Sequence, residues 1–302
     1  MSDPKVPLLT IRRIVVAVDA SPHSRAALEA AVDMASRFQA ELLALFVEDV
    51  NVLRAAELPF AHEVGQYSAL RHAIERPRME RKLRARSRRI EEAFRLLADR
   101  GSVHGTFRVA RGNVGVEIHS AAQEADVLIV GRAGWSQIRR RRLGSTARAA
   151  CSDDVPGVTM ILREGERITP PIHVVYDGSS LGDHTLRIAA MLVERLSQPL
   201  RVLLLVEQVG QGEALRELAA ACLQSYDVIR QYQVLASASV SDLAQAIRVI
   251  GLGTLVLPSR LVVRDGEVVP DLIEEVDLPV LLVRKGGAGC TGGTGLLLSL
   301  LS

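Results

Sequence analysis

The residues of this chain best suited to chemistry lie in one run, Asp126–Thr146, reading DVLIVGRAGWSQIRRRRLGST. It holds Gly131, Gly134, Gly144 and Ser145 in the spacing G-x2-G-x9-G-S. Such a run suits the gripping of an anion rather than the breaking of a bond. Glycine reaches positive φ and lets a phosphate approach backbone N–H groups. Ser145 and Thr146 open what reads as a helix, whose first amides and dipole favour negative charge. Their hydroxyls can bond phosphate oxygens. No G-x-x-x-x-G-K-[ST] occurs, which excludes the P-loop class. Elsewhere the chain offers little for catalysis. The histidines at 23, 62, 72, 104, 119, 173 and 184 show no metal-ligand spacing. No Ser-His-Asp arrangement or activated cysteine can be argued. Neither a catalytic residue nor a metal ligand is assigned.

The elements around the run must place it. Asp126–Val130 reads as a buried strand leading straight into the glycines. An earlier strand, Arg13–Val18, ends at Asp19-Ala20-Ser21-Pro22, a turn that caps a helix over Pro22–Arg37. Strands follow at Glu41–Val47, His104–Val109 and Val158–Leu162, with a long charged helix over Arg71–Arg100 and a shorter one over Val114–Glu124. From Pro170 the order repeats. Ile172–Tyr176 ends in Asp177-Gly178-Ser179-Ser180, and VDLPVLLVR near the C-terminus echoes VPGVTMILR of the first half. The join falls at Glu164–Pro171. Strands alternating with helices imply parallel sheets with helices on both faces. Ligands of such sheets bind beyond the strand C-terminal ends, where strand order reverses. The loops after Val18, Val47 and Val130 converge on that edge.

Composition agrees with this class. The 302 residues are 48% apolar and 24% charged, with aromatics only 3%. Aliphatic side chains must build the core, and base-stacking platforms are not expected, so nucleic acid is not an expected partner. The formal net charge is +2. Cys151, Cys222 and Cys290 lie far apart, which fits a reducing cytoplasm better than a disulfide framework. Cys151 reads as a small buried residue. The start lacks a signal-peptide pattern, and no run reaches the ~18 apolar residues of a membrane span.

The glycine spacing, its place after the fourth strand, and the Asp after the first strand resemble the ATP-binding universal stress proteins. The likeness is full over about 10–164 and continues over 172–285 through the repeated pattern alone. It implies two tandem Rossmann-like domains of the adenine nucleotide α-hydrolase type, each with a five-stranded parallel sheet: 1–165 with the loop, 171–286 without it, and a flexible tail over 287–302. It also implies a site for ATP, with Mg2+. By position, Asp19 lies beside the nucleotide and Val47 offers backbone contacts to adenine. Val130, Gly131 and Gly134 line the ribose and phosphates, while Gly144, Ser145 and Thr146 hold the phosphates. In the second half Pro258 and Leu261 stand where Gly131 and Gly134 stand, so no ATP is expected there. The resemblance further implies pairing of strands 158–162 and 279–283 within one chain, and leaves a homodimer open.

Three functions follow from these residues. The first is an ATP-binding stress or signalling protein with at most slow hydrolysis. The second is a nucleotide-independent interaction module, with the Gly run as a mere connector. The third is an enzyme of the same superfamily, for which no catalytic group is evident. Arg139–Arg142 reads either as a cationic lid or as a solvated run. Arg76–Arg89 reads either as a surface for an acidic partner or as an exposed face laced by i,i+4 pairs.

Overall fold

The computed structural model describes residues 11–19, 21–55, 62–64, 71–73, 76–133, 143–152, 155, 157–194, 198–206, 209–236, 239–263 and 266–285. The first half runs β1 (Arg13–Val18), α1 (Pro22–Phe38), β2 (Glu41–Asp49), α2 (Val50–Ala55), β3 (His62–Val64), β4 (Arg71–Ala73), α3 (Arg76–Gly101), β5 (Gly105–Gly112), α4 (Val114–Ala122), β6 (Val127–Gly131), α5 (Ser145–Ala150) and β7 (Val158–Leu162). The second runs β8 (Ile172–Tyr176), α6 (Ser180–Glu194), β9 (Leu200–Val206), α7 (Gly212–Cys222), β10 (Arg230–Ala236), α8 (Val240–Ile250), β11 (Thr254–Pro258), β12 (Val262–Val263), β13 (Gly266–Glu267), α9 (Val269–Glu275) and β14 (Val280–Val283).

Ten strands form one sheet in the order β10-β9-β8-β11-β14-β7-β6-β1-β2-β5. Each half contributes five strands, all parallel within that half. The halves meet at β7 and β14, which pair antiparallel with Met160 opposite Leu281. That pairing satisfies two strand edges that would otherwise lie open. The free edges of the sheet are then β5 and β10.

The strands are apolar on both faces, as parallel strands under two helix layers must be. Ile14, Val16 and Val18 of β1 join one core with α1, α3, α6 and α7 residues such as Leu28, Phe94, Leu186 and Ala219. Val15 and Ala17 face the other way, into a core with Ile118, Ala147, Leu243 and Leu272 of α4, α5, α8 and α9. The period-2 alternation of one strand thus feeds two layers.

Small elements depart from the sequence reading. The long helix starts at Arg76 rather than Arg71, because Arg71–Ala73 pairs with His62–Val64 as a hairpin. Pro77 then sits in the first turn, where proline costs no hydrogen bond. The hairpin β12–β13 and the helix α9 were also unforeseen, being too short for a periodic signal.

Candidate functional site

In the first half β1 lies between β6 and β2, so the chain winds outward in both directions from β1. The gap beyond the ends of β1 and β6 is the switch point where such sheets take ligands. Ala17 stands beside Val130, which brings Asp19 and Gly131 to the same sheet edge. On the other side β2 continues past Val18 through Val47–Asp49, with Val18 opposite Phe46. Val47 therefore overhangs the end of β1. Val130 and Leu143 belong to the apolar layer under α4 and α5, and half-buried Val47 packs on that layer.

Asp19 shapes the turn out of β1. Its Oδ1 accepts from Ser21 N–H at 2.8 Å, and its own N–H donates to Ser24 Oγ at 2.7 Å. Ser21 caps α1 by accepting from Ser24 N–H at 3.1 Å. Asp19 also lines a cleft of about 560 Å³ with Ser21, Arg25, Arg86, Arg89 and Glu164. This cleft opens on the α1–α3 side, away from the layer that Val47 and Val130 face. Beside it His23 Nδ1 accepts from Glu164 N–H at 3.1 Å. Desolvation holds His23 below its ordinary range, against the pull of Glu164.

The glycines do different work from that expected. Gly131 and Gly144 are not at positive φ; Gly144 has φ −65 and ψ 162. A Cβ on Gly131 would lie 2.7 Å from His23 C and from Ser24 N. Glycine is needed there because β6 abuts the backbone of α1, not because the chain turns. Amides near the run are also spoken for. Arg132 N–H donates to Leu162 O at 2.7 Å, and Gly144 N–H donates to Arg132 O at 3.0 Å. Gly144 therefore closes the neck of the loop and has no amide left for a phosphate. Gly134 and Arg139–Arg142 lie outside the described residues. Beyond the neck, α5 starts at exposed Ser145 and half-buried Thr146, and no side chain caps it. First-turn amides have no acceptor inside their own helix. Among the described residues of this run, the donor set that remains for an anion is this turn and its two hydroxyls.

Both sides of the neck are tied to the second half. Buried Arg132 donates through Nη1 to Val276 O and through Nη2 to Glu274 O at 2.7 Å. Burial and nearby Arg163 lower its pKa to about 10. Leu143 N–H donates to Glu274 Oε1 at 3.1 Å, and Arg148 Nη2 reaches the same oxygen at 2.5 Å. Around them Arg163 bonds Val276 O at 2.9 Å and Asp277, while Arg284 bonds Ala150 O at 2.5 Å and Thr159 Oγ1 at 2.7 Å. Arg163 and Arg284 could have been found in the sequence, since each ends one copy of the repeated strand motif. Nothing in the sequence links Arg132 to Glu274.

The second half fills the equivalent place. Pro258 pairs with Val283 as Gly131 pairs with Leu162, and Ser259 N–H donates to Val283 O at 2.8 Å. Leu261, Val263 and Val268 are then buried in the α8–α9 layer. Asp177 Oδ1 is held by Ser179, accepting from its N–H at 3.0 Å and its hydroxyl at 2.7 Å.

Among the described residues no cluster of His, Cys, Asp and Glu could hold a metal, and no helix is long and apolar enough to cross a membrane. Cys151 is buried, which pushes its thiol up to about 12.

Comparison with known proteins places this architecture. A family model, the universal stress protein family, matches residues 10–151. No curated protein sequence matches the chain. A universal stress protein from Archaeoglobus fulgidus superposes with a TM-score of 0.64 at 16% identity, covering 91% of this chain and 96% of that one. A functionally unknown protein from Pseudomonas aeruginosa PAO1 gives 0.59 at 13%, covering 91% and 92%. These likenesses span both halves and concern the fold. Residues 10–151 thus match the model of the universal stress protein family, and the second half repeats the same α/β architecture.

Proposed function

We propose that the first half binds an adenine nucleotide, ATP with Mg2+, and that the chain is a nucleotide-responsive stress or signalling protein with at most slow hydrolysis. One observation carries this reading. The uncapped first turn of α5, with Ser145 and Thr146, follows the loop that leaves β6 at the switch point. The overhang of β2 at Val47 leaves backbone there for an adenine ring, and Val130, its side chain buried in the core, brings its backbone to the same edge. Ser145 and Thr146 hold the phosphates with hydroxyls and amides, and Gly134 belongs to the same proposed site. Asp19 borders the ribose while keeping the turn after β1. Mg2+ would neutralise phosphate charge. The second half, closed by Leu261 and Val268, is proposed to hold no nucleotide.

Titration calorimetry with ATP–Mg, and with ADP, AMP and cAMP as competitors, tests the reading. Ser145→Ala combined with Thr146→Val is expected to weaken ATP at least about tenfold, the loss of one or two hydrogen bonds to a charged group. Unchanged affinity in the double variant refutes the site. A second reading, an interaction module that needs no nucleotide, is favoured by the internal bonding of the Arg132, Leu143 and Gly144 amides. No heat with any adenylate and no rise in Tm with ATP–Mg would favour it over the first.

A further inference from the structure

The two ends of the β6–α5 connection share one anchor, and it lies in the other half of the chain. Arg132 leaves β6 and grips the carbonyls of Glu274 and Val276. Leu143 and Arg148, on the return, meet the Glu274 carboxylate. Glu274 thus receives the outgoing strand through its backbone and the incoming helix through its side chain. Its side chain is only 19% exposed, whereas that of Arg148 is 55% exposed. The position matching Arg132 in the second half is Ser259, buried and too short to cross the interface.

We infer that Glu274 is a positioning residue for the first turn of α5, and that α9 of the second half senses occupancy of the proposed nucleotide site through it. The inference rests on the proposed nucleotide site. Leu143 directly precedes Gly144 and the start of α5, so the bond to Leu143 N–H sets the direction from which α5 presents Ser145 and Thr146. Nucleotide affinity and the Glu274 contacts are then linked, and linkage acts in both directions. The second half thus holds the end of β6 and the start of α5.

The full chain is titrated with ATP–Mg, and hydrogen exchange is followed over residues 269–275 with and without nucleotide. Wild type is expected to bind ATP and to slow exchange in α9. Glu274→Leu is expected to weaken ATP about 5- to 20-fold, within the usual range of coupling between sites, and to abolish the change in α9. Glu274→Gln keeps an acceptor for Leu143 N–H and is expected to recover most of the affinity, which general loss of packing would not allow. Should Glu274→Leu fail to fold, the exchange measurement on wild type still decides. ATP binding with α9 exchange unmoved overturns the inference and leaves the nucleotide site standing, as does unchanged ATP affinity in Glu274→Leu. Absence of ATP binding in wild type overturns the site and this inference together.

Discussion

Replacing Gly131 by alanine separates a packing glycine from a ligand-binding one. The added methyl would stand 2.7 Å from His23 C and Ser24 N and 2.9 Å from His23 O. All three are backbone atoms, so no side chain can rotate away. Ordinary carbon contacts need about 3.5–4.0 Å. Either α1 or the end of β6 must therefore move by most of an ångström. Movement of α1 is resisted because its first turn is held by Ser21, Ser24 and Asp19 and its inner face is buried at Ala27, Leu28 and Ala31. Overpacking of this kind costs about 1–3 kcal/mol. For domains of this size each kcal/mol lowers Tm by about 2–4 °C, so a fall of about 2–12 °C is expected. Gly210 provides the control: its Cβ would meet nothing within 4 Å, and Gly210→Ala should stay within about 0.5 kcal/mol of wild type. Thermal and urea unfolding of the two variants measure the difference. If Gly131→Ala melts with Gly210→Ala, the approach of β6 to α1 is not the reason for glycine. A loss of nucleotide binding in Gly131→Ala would also not by itself assign this residue to the ligand.

Arg284→Leu leaves Ala150 O and Thr159 Oγ1 without their arginine donor at the joint between the halves, while Ser152 O keeps the Val155 N–H. A cost of about 2–4 kcal/mol is expected from such buried unsatisfied acceptors, read as a lower urea midpoint; a midpoint equal to wild type would refute it. Cys151, its thiol pushed up by burial, should resist alkylation at about pH 8 in the folded chain and react once unfolded, as mass spectrometry would detect. Rapid labelling of the native protein would contradict its placement. His173 is held below its ordinary range by desolvation, against the Leu252 carbonyl 3.0 Å from Nε2. Desolvation lowers His23 and His184 too. The unfolded chain then binds protons at higher pH than the folded one, so stability is complete above about pH 6.5 and falls as pH drops below it. A urea midpoint that does not fall between about pH 7.5 and 5.5 would rule this out.

The alternating strands and helices, the duplication and the buried aliphatic strands were legible in the sequence, because each is written in local periodicity. The strand Val158–Leu162 and the turn at Asp19 stand where the pattern places them. The meaning of Gly131 was not legible. Its neighbour is the backbone of α1, more than a hundred residues away in the chain, and only the packed structure shows how close it comes. The same holds for Gly144, whose amide partner is fixed by the neck of the loop rather than by the glycine itself. Arg132 and Glu274 are ordinary surface types in the sequence. They become an anchor because the antiparallel meeting of β7 and β14 brings α9 against the end of β6. Sequence thus determined which segments form strands and which residue types stand near the sheet edge. Tertiary structure decided which amides remain available for one, since hydrogen-bond partners far apart in the chain are chosen only when the layers pack.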